Sequence, residues 1–260
     1  MTLPIAKKSL GQHWLNDETS LRAICDAAKL TKKDVVLEIG PGTGALTRHL
    51  VNLAGQVIAV EKDKNLAAHL INNFNGRSFY LHIEDILHFN LTKLPKGYKI
   101  VANIPYYLTN HLLRLLSETN RPPSIAVLLV QKEVAERVTA KPGAMSLLSV
   151  SVQLYYEVSL GQTVPAKLFT PPPKVDSQIL ILSRRQAPVF SVERSAFFKI
   201  VKAGFSARRK KLRSSLSGGL GISKEQAENL LQSAGINPGR RAQELSLADW
   251  HKLYKIFLAG

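Results

Sequence analysis

Along the first two-thirds of this 260-residue chain, apolar positions fall into two alternating patterns. Asp34–Ile39, Gln56–Val60, Ser78–Ile83, Tyr98–Ala102 and Ile125–Val130 are short, nearly unbroken runs rich in β-branched residues, which predict buried strands. Between them, apolar residues recur at helical intervals: Leu21, Ile24, Cys25 and Ala28, then Ala45 to Leu53, then Leu66, Ala67, Leu70 and Ile71. His111–Leu116 and Lys132–Thr139 continue the series, and Asn16 or Asp17 stands where the first helix needs its cap. Regular alternation of this kind predicts a mostly parallel sheet with helices on both faces.

Past Lys141-Pro142-Gly143 the rhythm changes. Ser146–Leu160 is expected to hold a helix and then a strand, Phe169 through Val175 is a stiff proline-rich insert, and Gln178–Leu182 is a last strand. Two late strands without a crossover helix predict an antiparallel hairpin at the sheet edge, making seven strands in all. Beyond Arg185–Pro188 the pattern is helical: Ala196–Phe205, Arg208–Leu216, Lys224–Ser233 and Leu247–Phe257. The expected domains are therefore 1–186, an α/β domain, and 187–260, a small all-α domain.

Composition changes this picture in one direction. Thirty-five Lys and Arg against nineteen Asp and Glu leave a net charge of +16, which points to a polyanion, with nucleic acid before an anionic membrane surface. Residues 187–260 carry thirteen basic and five acidic side chains, half of the net charge on under a third of the chain. The densest run, Arg208-Arg209-Lys210-Lys211-Leu212-Arg213, is the expected phosphate-binding surface, with Arg240-Arg241 and Lys7-Lys8 as additions. The single cysteine, Cys25, rules out an intrachain disulfide or a cysteine-based metal site. No apolar run is long enough to span a membrane, and a cytoplasmic protein is expected.

The strand ends carry the candidate chemistry. Gly40-Pro41-Gly42-Thr43-Gly44 follows a strand and opens a helix, a turn that lets backbone approach a ligand closely. Glu61 closes the next strand, where a carboxylate can accept both hydroxyls of a ribose. Asp85 follows the third, placed to accept from an adenine amino group. This set implies an adenosine-bearing cofactor without saying which, and it also satisfies the loose dinucleotide pattern of a hydride-transferring enzyme. The fourth strand ends in Asn103-Ile104-Pro105-Tyr106: a carboxamide, a fixed backbone and an aromatic ring in one turn. That turn suits a flat amine-bearing ring, and it favours methyl transfer over hydride transfer, as does the late hairpin.

Taken together, Glu38-Ile39-Gly40-Pro41-Gly42-Thr43-Gly44 and Asn103-Ile104-Pro105-Tyr106 resemble the S-adenosylmethionine-dependent adenine-N6 methyltransferases. Gly11 to Leu15, Gln131 to Arg137, Phe169 to Ser177 and Phe205 to Leu212 narrow the resemblance to the small-subunit (16S) ribosomal RNA adenine-N6,N6-dimethyltransferases, the KsgA/Dim1 family. The resemblance implies a Rossmann-like class I fold with S-adenosyl-L-methionine as cofactor. Its cofactor site would be formed by His13, Leu15, Gly40, Gly42, Glu61, Asp85 and Asn103, with Asn103, Ile104, Pro105 and Tyr106 catalytic. Phe169 would be a second stacking surface for the target base. The implied partner is 16S rRNA in the small ribosomal subunit, met by a monomer. A large-subunit rRNA methyltransferase of the macrolide-resistance type and a non-catalytic assembly factor are the alternatives. Ala144-Met145-Ser146 departs from the family's usual Tyr-Gly and is expected to alter a loop near the substrate.

Overall fold

The unbroken apolar run Ala126–Val130 has no exposed residue, as a strand covered on both faces requires. It belongs to a computed structural model that describes residues 7, 11–74 and 78–259. Among these residues the strands are β1 (Trp14–Leu15), β2 (Val35–Ile39), β3 (Gln56–Glu61), β4 (Phe79–Ile83), β5 (Lys99–Asn103), β6 (Ile125–Gln131), β7 (Tyr156–Val164), β8 (Phe169–Thr170) and β9 (Ser177–Arg184). The helices are α1 (Glu18–Ala27), α2 (Ala45–Leu53), α3 (Lys64–Phe74), α4 (Thr109–Glu118), α5 (Lys132–Thr139), α6 (Leu147–Gln153), α7 (Arg194–Phe205), α8 (Leu212–Leu220), α9 (Lys224–Ser233) and α10 (Leu247–Ala259).

Seven strands form one sheet in the order β4-β3-β2-β5-β6-β9-β7, while β1 and β8 pair separately. From β4 through β6 the neighbours are parallel. β9 runs antiparallel to β6, with Ile125 opposite Ser183, and β7 lies beyond it at the edge. This is the expected mostly parallel sheet with its late edge pair. α1 begins at Asp17, whose carboxylate accepts from the Ser20 N–H at 2.8 Å, and its Leu21, Ile24 and Cys25 pack with Leu46 and Leu50 of α2 against Val36, Val101 and Val127. Burial pushes the Cys25 thiol up to about 12, with nearby carboxylates adding to the effect, so it is an inert core group.

The chain forms two compact units, Met1–Glu136 with Glu157–Arg184 and Arg137–Tyr156 with Arg185–Gly260. One break follows Arg184, and residues 137–156, expected in the α/β domain, group with the second unit. Met145, Val150 and Leu154 are buried in the core of the helical unit with Phe197, Leu216 and Trp250. Main-chain bonds hold them there: Gly143 and Met145 donate to the Gln243 carbonyl, and Arg185 donates to that of Tyr155. An apolar stripe on α6 cannot be assigned to one core or another by its period alone. Met145 is thus a core residue, and Ser146 caps α6 in a reciprocal box with Ser149, so the departure there serves packing in this unit.

The helical unit is closely packed. A Cβ on Gly204 of α7 would come within 2.4 Å of the Trp250 indole, so only glycine lets α7 and α10 approach this closely. Among the described residues, no helix is long and apolar enough to cross a membrane.

Candidate active site

The register of the parallel strands gathers the predicted residues. Ile39 pairs with Val60, Glu61 with Ile83, and Asn103 ends β5, the neighbour of β2 on its other side. Sheet order reverses between β2 and β5, and the carboxyl ends of the strands around such a point leave a crevice. That crevice is lined by residues that include His13, Leu15, Gly40, Gly42, Glu61, Asp85, Asn103, Tyr106 and Phe169.

The glycine turn is held by its surroundings. Gly40 donates its N–H to the Val60 carbonyl at 2.9 Å, and a Cβ on it would stand 3.8 Å from Pro105 Cδ. The first glycine therefore meets the turn that ends β5. Gly42 has φ +61°, and a Cβ there would reach within 2.7 Å of the Trp14 indole. Backbone conformation and space both demand glycine. With no side chain in the way, the main chain of the turn borders the cleft directly.

Four carboxylates surround this turn, two with their pKa raised by burial and two held down by lysine partners and hydrogen bonds. Glu61 accepts from the Gly42 N–H at 3.2 Å with one oxygen and from the Asp63 N–H at 2.8 Å with the other. Burial raises its pKa against these hydrogen bonds. Each oxygen retains a second lone pair for a ligand hydroxyl. Asp63 is tied to Lys7 at 2.8 Å and to Gln12 at 3.4 Å. Asp85 pairs with Lys62 at 2.9 Å and accepts from the Leu87 N–H at 3.0 Å. Although burial acts in the opposite sense, these partners hold its carboxyl below the usual range. Glu38 is fully buried. Its Oε2 accepts from the Thr47 hydroxyl at 2.7 Å, while its Oε1 has no partner. Burial pushes it up to about 8, the Thr47 bond opposing and the Glu61 charge reinforcing the shift.

At the end of β5, Asn103 is half-buried, and its carboxamide makes no hydrogen bond to the described residues. Ile104 buries its side chain and contributes main chain to the cleft. Pro105 is extended at φ −56°, ψ 135°, and its carbonyl accepts from the Leu108 N–H at 3.0 Å to start a tight helical turn. Tyr106, the first residue of that turn, is anchored twice. Its hydroxyl meets Ser177 Oγ at 2.8 Å, and its ring lies 5.8 Å from that of His13 at a 24° interplanar angle. His13 is held in turn by its Nδ1–H, which donates to the Pro171 carbonyl at 2.7 Å.

Phe169 differs from expectation. It pairs with Leu15 across β1 and β8 and belongs to the core, only 3% exposed. It supplies an apolar wall to the cleft, not an open stacking face. Sequence reading also missed Glu38, Thr47, Asp63, Trp14 and Ser177, whose roles depend on partners distant along the chain. The Glu38-to-Gly44 run contained a signal for the first of these, since an acid inside a fully buried strand needs a reason.

In the helical unit, Arg208, Arg209, Lys210 and Lys211 are all exposed. They form a turn between α7 and α8 where a helix was expected: α8 begins only at Leu212, whose N–H donates to the Arg240 carbonyl at 2.7 Å. None of the four makes an ion pair among the described residues. Three of the other cations expected on this surface are already paired. Arg213 pairs with Glu228 at 3.0 Å, Arg240 with Asp249 at 3.5 Å, and Lys7 with Asp63. Lys8 lies outside the described residues.

Known proteins resemble this chain along nearly its whole length. The family model for ribosomal RNA adenine dimethylase matches residues 5–258. A ribosomal RNA small subunit methyltransferase A from Dehalococcoides mccartyi is 46% identical, covering 95% of this chain and 87% of its own. A crystallised dimethyladenosine transferase from Plasmodium falciparum is 28% identical with TM-score 0.80, over 93% of this chain and 96% of that one. The 23S rRNA methyltransferase ErmE is 29% identical with TM-score 0.74, over 94% and 98%. The fold is that of the class I rRNA methyltransferases, whose use of S-adenosylmethionine it implies. With a match reaching nearly end to end and the strand-end residues gathered in one cleft, the chain belongs to the ribosomal RNA adenine dimethylase family.

Proposed function

We propose that this protein dimethylates the N6 amino groups of two adjacent adenosines in the 3′-terminal hairpin of 16S rRNA, within the small ribosomal subunit in the cytoplasm, acting as a monomer. The observation that carries the reading is the uncommitted Asn103 carboxamide beside a fixed Pro105 and an anchored Tyr106, all bordering the glycine turn.

The residues present fit S-adenosylmethionine. Gly40 and Gly42 border the cleft without side chains of their own, Glu61 keeps lone pairs for ribose hydroxyls, and the orphaned Glu38 Oε1 awaits a donor. His13, Leu15, Gly40 and Asp85 complete the proposed cofactor wall. When bound, the cofactor supplies an electrophilic sulfonium methyl group.

The protein's own part is orientation. An adenine N6 lone pair is delocalised into its ring and is a weak nucleophile. The Asn103 side-chain oxygen and the Ile104 carbonyl would accept the two amino hydrogens, favouring a pyramidal nitrogen with its lone pair directed outward. Pro105 fixes the backbone that aims that carbonyl, and Tyr106 would stack on the base. Such positioning and fixed dipoles are worth several kcal/mol, and no general base is needed because the proton leaves after the methyl arrives. A base paired in a duplex cannot enter, so the target must be unpaired or flipped. The exposed run Arg208 to Lys211 would hold backbone phosphates.

Radiolabelled methyl transfer to unmethylated small subunits, naked rRNA and large subunits tests the reading. Label is expected in the small subunit as N6,N6-dimethyladenosine. Label confined to large-subunit RNA would instead support the reading that the likeness to ErmE suggests, and no label in any RNA would support a non-catalytic role.

A further inference from the structure

Two tyrosines follow Pro105, and the structure treats them differently. Tyr106 is half-buried and fixed at its hydroxyl, as described above. Tyr107 is 56% exposed, although it lines the same cleft. Successive residues of a tight helical turn point about 120° apart, so one ring turns inward and the next outward from a single rigid loop. The outward ring is also seated. A Cβ on Gly11 would lie 3.4 Å from Tyr107 Cδ1 and 3.8 Å from Pro105 Cβ, so the Gly11 backbone closes one side of the ring. Lys62, whose side chain is 58% exposed, lies within electrostatic reach of the Tyr107 hydroxyl. Nothing in the transfer step uses Tyr107, and an exposed aromatic costs hydrophobic free energy unless something covers it.

We propose that Tyr107 is a substrate-binding residue that stacks on the base next to the target adenosine in the RNA strand. The inference rests on the proposed function. When one adenosine is turned inward to Tyr106, its neighbour in the strand stays at the cleft mouth, unstacked from it, and a seated, exposed aromatic face is what an unstacked nucleobase recognises. A chain that acts on two adjacent adenosines must hold each outside while the other reacts. One platform beside one pocket meets that need in both orders.

The test uses reconstituted small subunits whose 3′ rRNA segment is joined from a synthetic piece, with either an intact neighbour or an abasic one. Base–aromatic stacking is worth about 1–3 kcal/mol per base, so Tyr107→Ala is expected to weaken subunit binding by roughly tenfold or more. Tyr107→Phe and Tyr107→Trp should bind as wild type, and S-adenosylmethionine affinity and melting temperature should not move. Removing the neighbouring base should weaken wild-type binding by a similar factor and leave Tyr107→Ala unchanged, because the two losses are the same contact. Independent, additive losses would overturn the proposal, as would wild-type binding by Tyr107→Ala or equal damage in Tyr107→Phe. If wild-type protein modifies the intact subunits while any of these occurs, the Tyr107 assignment alone falls. If wild-type protein transfers no methyl to them, the parent reading falls with it.

Discussion

The two units spend their charged groups in opposite ways. Around the cleft, nearly every ionic side chain is committed: Lys7 to Asp63, Lys62 to Asp85, and Glu61 to two main-chain N–H groups. The uncommitted atoms there are specific and include the Asn103 carboxamide, Glu38 Oε1 and Trp14 Nε1. In the helical unit, the committed pairs Arg213–Glu228 and Arg240–Asp249 flank an exposed turn of four cations with no ion-pair partner among the described residues. One unit reserves single atoms for directional contacts, and the other reserves plain charge. Substitutions should therefore separate chemistry from affinity.

The largest effect is expected at Asn103. Asn103→Ala should lower kcat by about 10³-fold, the scale seen when one preorganised polar partner of a transition state is lost. S-adenosylmethionine affinity and melting temperature should stay near wild type, because the carboxamide bonds no described residue. Single-turnover rates with saturating small subunits measure this, and a loss below tenfold would remove Asn103 from the chemistry.

Charge in the exposed turn should act on affinity alone. Replacing Arg208, Arg209, Lys210 and Lys211 by serine should weaken RNA binding by one to two orders of magnitude at about 0.1 M salt. The slope of log K against log salt should fall by about 3, as loss of four phosphate contacts requires. The turnover rate at saturating RNA should be unchanged. An unaltered slope would mean that the run is only a solvated surface.

Much of this contrast was legible from the sequence, because its carriers are local. The Gly40 turn, Glu61, Asp85 and Asn103 each close a strand, and strand ends can be read from an unbroken apolar run. The basic run is contiguous. Partnerships formed across the fold were not legible. Ser177 reaches Tyr106 only because β9 returns beside β6, and Trp14 covers Gly42 only because β1 pairs with β8. Phe169 read as a stacking face because an aromatic beside prolines suggests a surface, whereas Leu15 opposite it makes it core. Arg208–Lys211 read as helix because the spacing of Leu212 and Leu216 extends backward, yet α8 begins only at Leu212.

Glu38 gives a smaller, pH-dependent effect peculiar to the cleft. An exposed glutamate in the unfolded chain titrates near its ordinary 4.5, while the folded group is pushed up to about 8. Between these values the folded protein holds a proton that the unfolded chain has released. Stability should thus be greatest below about pH 4.5 as far as this group is concerned, fall by up to ~1.4 kcal/mol per pH unit as pH rises, and level off above about 8. Glu38→Gln should remove that slope, leaving the variant the more stable of the two near pH 9. Urea unfolding of both proteins from pH 6 to 9 measures it, and parallel curves would show that Glu38 is ionised in the fold throughout.

The smallest expected effect is the sharpest test of the contrast, because it concerns a cation adjacent to the run yet already paired. Arg213 follows the exposed turn within one residue, but its guanidinium lies 3.0 Å from Glu228. The pair is partly exposed, so breaking it should cost less than about 1 kcal/mol of stability. If the paired cation contributes little to phosphate binding, Arg213→Ala should leave the salt slope within experimental error of wild type, whereas the neighbouring Lys211→Ala should lower it by nearly one. Equal slopes for the two single variants would mean that RNA pulls Arg213 away from Glu228. The division between committed and reserved charge would then hold only for the free protein.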